Sequence, residues 1–136
     1  MNEGPGEADL EALVSEARAA RAKAYAPYSG FPVGAAVLAG GGRVFRGANV
    51  ENASSPVGIC AERVAAVAAV SSGAPRIEAI AISGPGDSPV PPCGQCRQFL
   101  FEFNPEMTVV AEGSGGARRV WKLSQLLPDP FRRQAP

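Results

Sequence analysis

Apolar residues recur at helical intervals near the start of the chain: Leu10, Leu13, Val14, Ala17 and Ala24 share one face, and the spacing predicts a helix that begins near Glu7 and stops before Pro27. The period then shortens. Residues 33–38 and 44–50 are two brief apolar runs on either side of the glycines at 40–42, which reads as a β-hairpin. Helical spacing returns with Ala61, Val64, Ala65 and Ala68, and Gly73 offers the stop. Residues 76–83, RIEAIAIS, are isoleucine-rich with little alternation, as suits a strand buried on both faces. After a loop with prolines at 85, 89, 91 and 92, GQCRQFLFEF predicts a third helix that ends before Pro105. MTVVAE is a further strand, residues 113–116 a turn, ARRVWKL an edge strand, and SQLLPDPF holds one last helical turn.

The order helix, hairpin, helix, strand, helix, strand contains two strand–helix–strand crossovers. The expected fold is therefore a three-layer α/β/α sandwich around a mixed sheet of about five strands. A chain of 136 residues, 46% of them hydrophobic, is long enough for one core, and residues 1–136 read as a single domain with disordered tails at 1–6 and 132–136. Lys plus Arg equals Asp plus Glu at 13 each, without clustering, so neither nucleic acid nor an anionic membrane is an expected partner. The N-terminus has no basic, apolar leader and no stretch nears the ~20 apolar residues of a membrane span, so the expected location is the cytoplasm.

Three cysteines and no histidine change the picture. Cys60 lies at the start of the second predicted helix, Cys93 and Cys96 at the start of the third, and both helix starts can face each other across one end of the sheet. A helix N-terminus favours thiolate, and three converging thiolates favour zinc with an open fourth position, the catalytic pattern. A redox pair in CGQC leaves Cys60 without a use, and mere burial does not explain cysteines set beside Pro and Gly. Glu62, two residues after Cys60, can face a water activated by the metal and move its protons. Favouring the helix dipole is the blander role for the same carboxylate.

CAER, followed by PCGQCRQ, resembles the zinc-dependent cytidine deaminases of the small, homotetrameric type, in the cytidine/deoxycytidylate deaminase superfamily. AYAPYSGFPVGAA, GANVENAS and QLLP resemble further segments of that family in the same order, so the likeness runs nearly end to end. It implies one Zn2+ per subunit on Cys60, Cys93 and Cys96, with Glu62 shuttling protons between the water, ring N3 and the departing ammonia as C4 of cytosine is attacked. It also implies base contacts from the Ala61 amide and Phe31. Asn49 and Glu51, two apart on an extended chain, point the same way and, by the resemblance, hold the ribose. Three thiolates leave zinc with net negative charge, so a cation is expected nearby; Arg63 and Arg97 are the candidates, and the resemblance favours Arg63. Ser55 departs from the family, where many relatives carry an aromatic residue, and Phe131 resembles a C-terminal aromatic that reaches a neighbouring subunit's site.

The implied activity is conversion of cytidine and 2′-deoxycytidine to uridine and 2′-deoxyuridine in pyrimidine salvage, by a homotetramer with sites near subunit interfaces. Deamination of an antibiotic nucleoside of the blasticidin type is the runner-up, and the intact NVEN segment, suited to a plain ribose, argues against it. A structural zinc-binding interaction module would keep the cysteines but has no need of Glu62. Balanced charge disfavours a nucleic-acid editor.

Overall fold

A computed structural model describes residues 4–134. The strands are β1 (Gly34–Ala39), β2 (Val44–Ala48), β3 (Ile77–Ser83), β4 (Thr108–Glu112) and β5 (Arg118–Lys122), and among the described residues they form one sheet in the order β2-β1-β3-β4-β5. Only β3 and β4 are parallel neighbours; the other pairs are antiparallel, so the sheet is mixed. Helix α1 (Glu7–Ala20) covers one face, and α2 (Ala61–Ser71) and α3 (Gly94–Phe101) cover the other, with a short α4 (Leu123–Leu126) after β5. The expected three-layer α/β arrangement is the observed one. Helix α2 links β2 to β3 over β1, and α3 links β3 to β4, which are the two crossovers.

The strand pleat sorts the core by size. Val37, Ile80, Ile82 and Val109 face α2 and α3, whereas Ala36, Ala79, Ala81 and Val110 face α1. Each fully buried isoleucine contributes about 1.5–3 kcal/mol of hydrophobic stabilisation. The thin alanine face lets α1 lie close to the sheet, and a Cβ on Gly34 would collide with the Ala17 carbonyl and the Arg21 amide. Gly47 plays the same part for α2, since a Cβ there would run into the backbone at Ala61 and Ala65. Backbone cannot yield as a flexible side chain can. Gly47→Ala is therefore expected to cost about 3 kcal/mol, read as a lower urea midpoint at unchanged m-value.

Helix α1 ends earlier than the apolar spacing indicates. A 3₁₀ turn over Arg21–Lys23 follows it, and Ala24 is extended rather than helical. The reason is non-local: the Tyr25 amide donates to the Asn49 carbonyl at 2.9 Å and the Tyr25 carbonyl accepts from the Glu51 amide at 2.9 Å. That bridge demands extended backbone well before Pro27. Val50 likewise belongs to bridges with Tyr25 and Ile59 rather than to β2. Of the expected tails, residues 1–3 and 135–136 lie outside the described residues. Gly6 is already part of the fold, capping α1 with its carbonyl on the Leu10 amide at 3.1 Å and its own amide on the Asp9 carboxylate at 3.2 Å.

Candidate active site

Cys60 is the N-cap of α2 and Cys93 the N-cap of α3, while Cys96 lies in the first turn of α3. Two helix N-termini thus converge on one point, each placing partial positive charge beside sulfur. Cys60 Sγ is 3.8 Å from Cys93 Sγ, which is 3.5 Å from Cys96 Sγ, and all three sulfurs lie within 4.8 Å of one another. These distances exclude disulfides, whose S–S bond is ~2.05 Å. They fit tetrahedral zinc, because a Zn–S bond of ~2.3 Å separates two ligand sulfurs by about 3.8 Å. Hydrogen bonding from Cys96, then Arg63 and Cys93, holds the Cys60 thiol down to about 5. The same bond to Cys60, with burial, pushes the Cys96 thiol up. A dication binding here would displace the remaining thiol protons.

Glu62 follows Cys60 by two residues and is only 5% exposed. Burial pushes its carboxyl up to about 7, and negative charge on Cys60 adds to the rise. A carboxyl poised there can both take and return a proton near neutral pH. A cavity of about 380 Å³ opens beside it, lined by Phe31, Val33, Ala61, Val90 and Pro91 on its apolar sides and reaching Cys60 and Cys93. Its size suits a small molecule, for which pockets of ~300–1,000 Å³ are usual.

Asn49 and Glu51 also line this cavity. Asn49 Nδ2 donates to the Phe31 carbonyl at 3.0 Å, and its Oδ1 accepts from the Val33 amide at 2.9 Å. Glu51 accepts from the amides of Tyr28 and Ser29 at 3.0 and 3.1 Å and from the Ser29 hydroxyl. The Ser29 hydroxyl first, then these amides, lowers the Glu51 carboxyl below its ordinary value, so it is ionised at neutral pH. Both side chains therefore fasten the loop that carries Phe31, a structural task that spacing alone does not reveal. Each keeps unused capacity, one amide hydrogen on Asn49 and further lone pairs on Glu51.

The two candidate cations separate cleanly. Arg63 Nη2 lies 3.8 Å from Cys60 Sγ and 3.2 Å from Gln95 Oε1. Arg97 turns away, its Nε on the Pro92 carbonyl at 2.7 Å and its Nη1 on the Leu126 carbonyl at 2.9 Å. It braces the loop before Cys93 against the end of α4. Ser55 lines a second cavity of about 560 Å³ that shares Cys60, Asn49 and Glu51 with the first and is bounded by Arg63 and Gln95. Phe131 lies outside both cavities, 73% exposed, with its amide and carbonyl bonded to the Gln98 side chain at 3.0 and 2.9 Å. Ser29 and Gln95 are among the polar residues of the site that spacing did not single out; the nearest signals are their places in YSGF and between the cysteines of CGQC.

The cytidine and deoxycytidylate deaminase zinc-binding region matches residues 7–112. A cytidine deaminase of Sporosarcina psychrophila is 42% identical over 127 residues, covering 93% of this chain and 93% of that relative. One of Halalkalibacterium halodurans is 46% identical over 125 residues, covering 90% and 94%. The crystal structure of cytidine deaminase from Burkholderia pseudomallei superposes with a TM-score of 0.86 at 47% identity, covering 89% of this chain and 98% of that one.

Proposed function

The chain belongs to the cytidine and deoxycytidylate deaminase zinc-binding family, and from that premise we propose that it hydrolyses cytidine and 2′-deoxycytidine to uridine and 2′-deoxyuridine, releasing ammonia, in pyrimidine salvage. The observation that carries this reading is a buried carboxylate, Glu62, in the same cavity as Cys60 and Cys93. A purely structural zinc site has no need of it.

Cys60, Cys93 and Cys96 would hold the zinc, which supplies Lewis acidity that brings a water's pKa towards neutrality. Glu62 takes a proton from the attacking water, delivers it to ring N3, and later passes a proton to the amino group leaving C4. The C4–N bond is exchanged for a C4–O bond, so water and cytidine balance uridine and ammonia. Phe31, Val33, Val90 and Pro91 wall the base and exclude solvent, the Ala61 amide at the α2 N-terminus meets its polar edge, and Asn49 with Glu51 takes the sugar hydroxyls. Arg63 offsets the negative charge of three thiolates.

The cavity's electrostatics favour a nucleoside over a nucleotide. Among the described residues no Lys or Arg lines it, whereas two carboxylates, Glu51 and Glu62, do. A substrate phosphate would meet ionised Glu51, and the arginine lining the adjoining cavity, Arg63, is already engaged with Cys60 and Gln95. Loss of the cytidine ultraviolet band tests the reading directly: cytidine is expected to turn over with kcat/KM at least about 100-fold above cytidine 5′-monophosphate, since like-charge juxtaposition costs several kcal/mol. No turnover of any cytosine nucleoside by zinc-loaded protein would sink it.

The assembly proposed is a homotetramer with sites near its interfaces. Supporting it, Tyr25, Val50 and Ile59 lie side by side on bridged segments, all exposed, with exposed Tyr28 and Val57 on the same stretches of chain. Exposed apolar surface of this kind calls for a partner, and Gln98 holds Phe131 where a neighbour's site could receive it. No helix among the described residues is long and apolar enough to cross a membrane. A cytoplasmic location is proposed because three unpaired ligand thiols require a reducing compartment.

A further inference from the structure

We propose that Gln95 is a positioning residue of the metal centre: its side-chain carbonyl holds the Arg63 guanidinium over the Cys60 sulfur and so slows loss of zinc. The inference rests on the zinc-site reading above and extends it to a residue outside the ligand set.

Arg63 comes from α2 and Gln95 from the first turn of α3, so their 3.2 Å contact ties together the two helix ends that carry the ligands. The same nitrogen, Nη2, also faces Cys60 Sγ at 3.8 Å. One of its hydrogens serves the amide oxygen, leaving the other for the sulfur. Arg63 Nε is buried and has no hydrogen-bond partner among the described residues, and no carboxylate forms an ion pair with the guanidinium. Away from the sulfurs, its fixed partner is Gln95. An arginine has many rotamers to lose, and a single strong acceptor decides which one persists.

Position matters here because Cys60, Arg63 and Gln95 line the same 560 Å³ cavity, one that Glu62 does not line. The guanidinium and the amide form a wall across the sulfur from that side. Freed from Gln95, Arg63 swings into the open cavity, uncovering Cys60 to water and competing ligands and removing positive charge from a trithiolate site. Gln95 itself is exposed and helical, so alanine fits the backbone without strain.

The test is the rate of zinc transfer from the whole protein to the chromogenic chelator 4-(2-pyridylazo)resorcinol, after the zinc content of the parent protein has been measured. Gln95→Ala is expected to release zinc about tenfold faster, at the lower end of the ~10–100-fold loss of metal affinity or activity seen when groups supporting a metal ligand are removed. Gln95→Met, of similar length but with only a weakly accepting thioether in place of the amide oxygen, should behave the same. In both variants kcat for cytidine should fall by a similar factor, with KM unchanged and the thermal midpoint in excess chelator equal to that of the parent protein treated in the same way. Parental release rates in Gln95→Ala, or restoration of the parental rate by methionine, would overturn the proposal, the latter by showing that bulk alone matters. A parent protein that carries no zinc overturns the zinc reading itself, and this inference with it.

Discussion

Replacing Glu62 with glutamine is expected to lower kcat for cytidine by about a thousandfold, within the ~10²–10⁴ that a positioned acid–base group contributes, while leaving zinc content at the parental level. The amide matches the carboxyl in shape, so the cavity walls of Phe31, Val33, Ala61, Val90 and Pro91 stay in place and KM changes little. Stability should not suffer. Glu62 is 5% exposed and burial raises its carboxyl to about 7, above its value in the unfolded chain. A carboxyl raised in this way opposes folding as pH climbs from the unfolded value through about 7, because the ionised form becomes the one that must be buried. Glutamine removes that penalty, so the thermal midpoint at pH 8 should hold or rise. Measured together, kcat, zinc by atomic absorption and the midpoint separate two roles. Lost turnover with zinc and stability intact marks a proton carrier, whereas zinc lost alongside turnover would show that Glu62 only supports the metal centre.

Much of this arrangement could be read along the chain because it depends on near neighbours. Leu13, Val14 and Ala17 lie on the buried face of α1, and Ile80 and Ile82 on a strand buried on both sides, as their spacing indicated. Cys60, Cys93 and Cys96 were legible as a cluster because each sits at a helix start and the two crossovers bring those starts to one end of the sheet. What escaped the sequence depends on distant pairing. The end of α1 is decided by the Tyr25 bridge to a segment 25 residues further on, which no local propensity records. Arg97 stands one residue from a cysteine and Arg63 three, so proximity in sequence points to the wrong one; the fold turns Arg63 towards sulfur, as the resemblance implied, and Arg97 towards the Pro92 carbonyl. Asn49 and Glu51 read as a pair for the sugar, and spacing gave no sign that their contacts with the 28–33 loop also make them part of the wall that presents Phe31. Gln95 lies 32 residues from its partner, and the prolines at 91 and 92 leave no pattern that would announce the contact.

Removing Cys96 should abolish both metal binding and turnover. Cys96 is the fully buried member of the three, inside the first turn of α3, whereas Cys60 is half-buried and Cys93 exposed. Cys96→Ala leaves two sulfurs at two helix ends with no third donor behind them, and the described residues offer no other cluster of metal ligands. Zinc is expected to fall below about a tenth of an ion per chain, because a site reduced to two thiolates no longer outcompetes water and buffer. Stability should fall with it: a ligand present at a thousandfold over its Kd contributes about 4 kcal/mol to the folded state. The decisive comparison adds a chelator. Chelation should lower the unfolding midpoint of the parent protein towards that of Cys96→Ala and leave the variant where it was, since the variant has no metal left to lose. If Cys96→Ala instead keeps one zinc per chain, the metal is held elsewhere and the convergence of the three sulfurs has another purpose. If both proteins respond equally to chelation, the chelator is acting on something other than this centre.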